Sequence, residues 1–138
     1  MGVVAMLNHE TAAKLRQMKL SGMAESYERQ MAEPSVHGLS FDERLGLMVD
    51  QEWLRRQNSK MAMLLKKAGF ADSSAAIEDI DYAPDRRLDR PLILELAGGN
   101  YISHARNIII TGPTGAGKSF LAQAFGTTAC RQKFTTQY

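Results

Sequence analysis

The 138-residue chain, 44% hydrophobic and 23% charged, has the composition of a soluble globular protein and not of a disordered or membrane one. Its 17 basic and 15 acidic residues are spread evenly, eight of each sign over 1–60 and nine against seven over 61–138, so charge alone makes no case for nucleic-acid binding. The single Cys130 excludes an internal disulfide framework and fits a reducing compartment, with a place on a buried helix face as its expected role.

The opening "MGVVAML" lacks a basic leading region and is too short for a secretory signal, and Met6 can serve as the natural start. No segment reaches the roughly 18 consecutive apolar residues of a membrane span, so a cytoplasmic protein without a membrane partner is expected. From Asn8 to about Met31 the residues favour helix, interrupted by "LSG" at Leu20 to Gly22. Two short helices are expected, with Ser21 capping the second. "EPSVHG" reads as a loop. Ser40-Phe41-Asp42-Glu43 then has the S-x-x-E spacing of a capping box. A long helix should begin there, with Phe41, Leu45, Met48 and Val49 on one face, Glu52 and Trp53 extending that side, and Gly69 as its stop.

"DSSAAIEDI" predicts a brief helix after a serine cap, and "DYAPDRR" a loop. Asp89 can cap a short apolar helix that holds Pro91 in its first turn and ends before Gly98-Gly99. At Asn107 the texture changes, because "NIIIT" is a β-branched run of the kind buried on both faces of a parallel sheet. A helical stretch with Phe120, Leu121, Ala124, Phe125 and Cys130 follows the next loop, and "FTTQY" can begin a second strand. The fold class expected is therefore α/β: a helical N-terminal domain over 1–97, then over 98–138 the opening strand, a glycine loop with the G-x-x-x-x-G-K-[ST] pattern of a P-loop, and the helix of an incomplete P-loop NTPase domain.

The loop itself, "GPTGAGKS", carries the chemistry. Gly112, Gly117, Lys118 and Ser119 match G-x-x-x-x-G-K-[ST] in full. Glycines let backbone N–H groups wrap an anionic phosphate, and the following helix aims its positive end at the same charge. Lys118 would reach the β- and γ-phosphates, and Ser119 would give Mg²⁺ a hydroxyl ligand. The expected nucleotide site is Gly112, Pro113, Thr114, Gly115, Ala116, Gly117, Lys118 and Ser119, with ATP and Mg²⁺ as cofactors. Hydrolysis in this class also needs an acidic residue at the end of a later strand, and no Asp or Glu follows Ser119. No catalytic residue is assigned, and a fragment of a longer ATPase is expected.

Along most of its length, through "LRQMKLSGMAESYERQ", "SFDERLGLMVDQEWLRRQ", "AIEDIDY" and "NIIITGPTGAGKSFLAQAFGTTACRQ", the chain resembles the IstB-like ATP-binding proteins. These are helper ATPases of insertion-sequence transposition, related to the DnaC helicase loader. The resemblance implies an AAA+ ATPase with a small helical N-terminal domain, assembled by ATP into homo-oligomers on DNA, where it recruits or stimulates a transposase. By position it assigns Gly112, Gly115, Gly117, Lys118 and Ser119 to the nucleotide loop. A helicase loader in replication is the alternative within this fold, and a non-catalytic helical interaction module the alternative outside it. A small-molecule kinase fits less well, having no place for a hundred preceding helical residues.

The remaining features read more plainly. Arg55-Arg56 beside Trp53 could touch DNA, but Trp53 in the core and arginines on a solvated face is the simpler expectation. Arg86, Arg87 and Arg90 alternate with Asp85 and Asp89, which offset their charge. His9, His37 and His104 lack metal-ligand spacing, and the eight methionines suggest core filling.

Overall fold

The computed structural model describes residues 2–138, and the chain divides into two compact units, Met1–Ser59 and Lys60–Tyr138. Six α-helices carry the described residues: α1 (Gly2–Gln17), α2 (Ser21–Ala32), α3 (Phe41–Ala68), α4 (Arg90–Ala97), α5 (Asn100–Ser103) and α6 (Lys118–Arg131).

In the first unit α1 and α2 pack on each other, and Ala12 of α1 and Ala24 of α2 are both fully buried. The break at "KLSG" is a helix stop. Lys19 turns left-handed (φ 61°), its N–H reaches the Arg16 carbonyl (2.9 Å), and that of Leu20 reaches Leu15 (2.8 Å). These two bonds satisfy carbonyls that the end of α1 would leave open. Ser21 does not cap α2; it is the first helical residue, and Leu20 before it offers no side-chain bond. The cap comes from elsewhere. Glu52 of α3, only 7% exposed, accepts the N–H of Gly22 (2.7 Å) and of Met23 (3.3 Å) through Oε2, while Arg55 (2.8 Å) and Arg56 (2.7 Å) hold Oε1. Gly22 is needed for this approach, since a Cβ there would stand 2.9 Å from the Glu52 Cα.

α3 starts as its sequence predicts. The Glu43 N–H donates to Ser40 Oγ (3.3 Å), and the Glu43 carboxylate accepts the Ser40 N–H (2.8 Å), a reciprocal capping box. Its covered stripe runs through Leu45, Met48, Glu52 and Arg55. Trp53, one position off that stripe, is 63% exposed and not in the core, and Phe41 is exposed as well. None of the described methionines is fully buried: Met23, Met48 and Met61 are half-buried, and Met6, Met18, Met31 and Met63 are exposed.

In the second unit the last turns of α3 supply Leu64 and Ala68 to a small cluster with Cys130 and the half-buried Phe70. A larger core gathers Ala75, Ile77, Ile80, Ile93, Ala124 and Phe125. The segment expected as a serine-capped helix instead makes a turn at Ser73–Ser74, where the Asp72 carboxylate accepts the N–H and hydroxyl of Ser74, and then a short 3₁₀ turn at Ile77–Asp79. α4 is capped by Asp89, whose carboxylate accepts the Leu92 N–H at 3.1 Å. Polar side chains at α6 and its C-terminal cap tie down the preceding segments: Gln123 accepts the Asp72 N–H (2.6 Å), Arg131 pairs with Glu78 (3.0 Å), and Gln132, just past the helix, donates to the Ala97 carbonyl at the end of α4 (2.9 Å).

The α/β expectation is overturned, because the described residues are helical and contain no strand or sheet. "NIIIT" is extended but pairs with no neighbour. Ile108 and Ile110 are half-buried while Ile109 is 85% exposed, so only one face of the run is covered. A β-branched run becomes a strand only where another strand takes its backbone N–H and C=O groups. "FTTQY" likewise forms no strand; its last residue, Tyr138, donates its N–H to Ala68 at the end of α3 (2.8 Å).

Candidate functional site

The loop 112–117 is suspended between two anchored ends. On one side Ile110 packs against the larger core. On the other, α6 is fixed by Gln123, Ala124, Phe125, Thr127, Ala129 and Cys130, all buried. Between them the chain turns at Ala116, whose N–H donates to the Pro113 carbonyl (3.3 Å), and passes through left-handed φ at Gly115 (79°) and Gly117 (87°). Side chains other than glycine rarely tolerate that conformation, which explains two of the loop's three glycines.

Lys118, the first residue of α6, folds its ammonium back over the loop. Its Nζ donates to the carbonyls of Gly112 (2.7 Å) and Pro113 (2.6 Å), closing a ring that holds the loop in shape. The N-cap, Gly117, offers no side-chain bond, and the first turn of α6 contains no acidic residue. The free N–H groups and the helix dipole therefore present positive potential at the loop with nothing from α6 to offset it.

A cavity of about 710 Å³ opens over this helix end. Gly112, Pro113, Gly115, Ala116, Gly117 and Lys118 line it, whereas Thr114 and Ser119 do not. Ser119 is exposed on the first turn of α6. The opposite wall is the segment from Asp79 to Leu88, which brings Ile80 and Leu88 together with Ile110, Phe120 and Leu121 into an apolar corner and adds Asp81, Arg86 and Arg87. That wall was not legible as part of a site, since only the alternation of Asp and Arg marked it. Among the described residues no group of three His, Cys, Asp or Glu side chains could hold a metal ion. His9, His37 and His104 are all exposed, and Cys130 is buried.

A helix end with free N–H groups, a lysine and glycines at left-handed φ is suited to phosphate, and an apolar corner beside it is suited to a ring. Comparison with known proteins agrees in kind. A family model described as IstB-like ATP binding protein matches residues 13–138. The chain belongs to the IstB-like ATP-binding protein family. This IstB-like chain is 43% identical over 133 residues to the insertion sequence IS1162 ATP-binding protein of Pseudomonas fluorescens, covering 96% of the chain and 58% of the relative. It is 41% identical to an insertion-sequence ATP-binding protein of Sinorhizobium fredii, over 96% of the chain and 54% of the relative. To the insertion sequence IS21 ATP-binding protein of Pseudomonas aeruginosa it is 30% identical, over 88% of the chain and 45% of the relative. The IstB-like chain thus spans about half the length of these curated relatives. No helix of its described residues is long and apolar enough to cross a membrane.

Proposed function

We propose that the chain binds ATP at Gly112–Ser119 and serves DNA transposition, with nucleotide occupancy governing assembly on DNA and stimulation of a transposase. The observation that carries the nucleotide half is the joint lining of one cavity by six residues of the loop and the uncapped start of α6. Phosphates would sit against the N–H groups of Gly117 and the first turn, with Lys118 as their counter-charge. The nucleoside would lie towards Ile80, Leu88 and Phe120, where apolar surface awaits a ring. Mg²⁺ would be held by phosphate oxygens, water and the Ser119 hydroxyl, since among the described residues the carboxylates form no cage of their own. The transposition half rests on family membership and on the relatives, which are insertion-sequence ATP-binding proteins.

Equilibrium binding of a fluorescent ATP analogue with Mg²⁺, for the intact chain and for Lys118→Ala, tests the first half. Removing a charge-assisted contact to phosphate should weaken binding by about tenfold or more. Equal affinity in the two proteins rejects the site. Retention of labelled insertion-sequence end DNA, with and without ATP, tests the second half, and retention indifferent to nucleotide would reject nucleotide-governed assembly.

A further inference from the structure

The nucleotide reading accounts for the loop and for α6 but not for the charged wall opposite. Arg86 ends the 3₁₀ turn Pro84–Arg86, where the proline ring fixes the backbone and the Arg86 N–H donates to Ala83 (2.9 Å). Its guanidinium Nη1 lies 4.0 Å from the point where a Cβ on Gly117 would stand, which puts it beside the first turn of α6. Arginine, Lys118 and the positive end of a helix thus border one cavity.

The ion pair that Arg86 makes is loose. Its Nε stands 3.5 Å from Oδ2 of Asp81, with 46% and 64% of the two side chains exposed, and such pairs contribute little. Asp79 and Asp85 also line the cavity, so the wall as a whole is not a broad positive field. What singles out Arg86 is position: a weakly held guanidinium next to an uncapped helix end, with a fork of N–H donors that matches a phosphate group.

We propose that Arg86 is a second phosphate-contacting cation of this pocket, which exchanges Asp81 for a phosphate oxygen when nucleotide binds across the Gly117 turn from Lys118. The inference rests on the nucleotide reading of the loop and adds to it a contact from outside the motif. Segment 79–88 then closes on the polyphosphate, and its conformation depends on whether phosphates are present.

The test measures affinities for fluorescent ATP and AMP analogues in the intact chain, Arg86→Gln, Asp81→Asn and Lys118→Ala, with a thermal melt of each. Arg86→Gln should bind ATP about tenfold more weakly while keeping its affinity for AMP and its melting temperature, and Asp81→Asn should bind ATP at least as tightly as the parent. Unchanged ATP affinity in Arg86→Gln overturns the inference while leaving Lys118 and the loop intact. Weakened binding of both analogues, with a lowered melt in Arg86→Gln and Asp81→Asn alike, assigns the pair a structural role and overturns it too. ATP affinity unchanged in Lys118→Ala rejects the nucleotide site and the inference with it.

Discussion

Two helix starts, one in each compact unit, meet the same physical problem in opposite ways. The first turns of α2 and α6 both lack an acidic residue and a side-chain cap of their own, leaving backbone N–H groups with no partner inside the helix. At α2 the chain supplies its own anion, the carboxylate of Glu52, brought in from thirty residues away. At α6 no carboxylate caps the first turn; Lys118 and Arg86 border it, with Asp79, Asp81 and Asp85 elsewhere on the lining of the same cavity. A helix start answered from within is architecture, and one left open beside a cavity is what the proposed nucleotide site uses.

Breaking the first arrangement should have the largest effect on stability. Glu52→Ala leaves two N–H groups and two guanidinium groups without their shared acceptor. With the arginines half exposed, a loss of about 2–3 kcal/mol is expected by chemical denaturation. Acid should act through the same group. Arg55 foremost, then Arg56 and the N–H groups of Gly22 and Met23, hold the Glu52 carboxyl at about 2, well below its usual value of 4.5. Because the folded form binds its proton less readily than the unfolded one, this stabilisation is present above pH 4.5 and drains away as pH falls towards 2. A urea titration series over that range should show the parent losing stability more steeply than Glu52→Ala.

Gly117→Ala sharpens the other side of the comparison with a smaller effect. The added Cβ meets nothing closer than 4.0 Å, so space is not at issue. The cost is the left-handed backbone at φ 87°, about 1 kcal/mol for a residue other than glycine. A small drop in melting temperature accompanied by weaker ATP binding is expected. ATP binding unaltered in this variant would mean that the loop works in another shape.

What the sequence made legible follows the range of each interaction. The capping box at Ser40, the Asp89 cap and the stop at Gly69 are all made by residues within a few positions of each other, and each is where its spacing predicts, whereas the break expected at Leu20 to Gly22 falls just earlier, with Ser21 and Gly22 already inside α2. The anion motif is equally local. Longer-range choices were not readable. "NIIIT" has strand-forming residues, yet pairing decides a strand, and no partner pairs with it. Trp53 was assigned to the core by hydrophobicity, whereas the covered stripe of α3 passes through its polar neighbour Glu52. Arg55 and Arg56, expected on a solvated face, hold that carboxylate. The division expected at residue 97 follows a change in residue texture, while compactness divides the chain between Ser59 and Lys60.

The ring that Lys118 closes over its own loop bears on how an anion is received. An ammonium has three donors, and two are engaged by the Gly112 and Pro113 carbonyls. The third remains for a guest, so the lysine can act as strut and as host at once. On the proposed nucleotide reading, a phosphate would meet a loop already braced by these two bonds, exchanging hydration for contacts without first having to freeze a floppy segment.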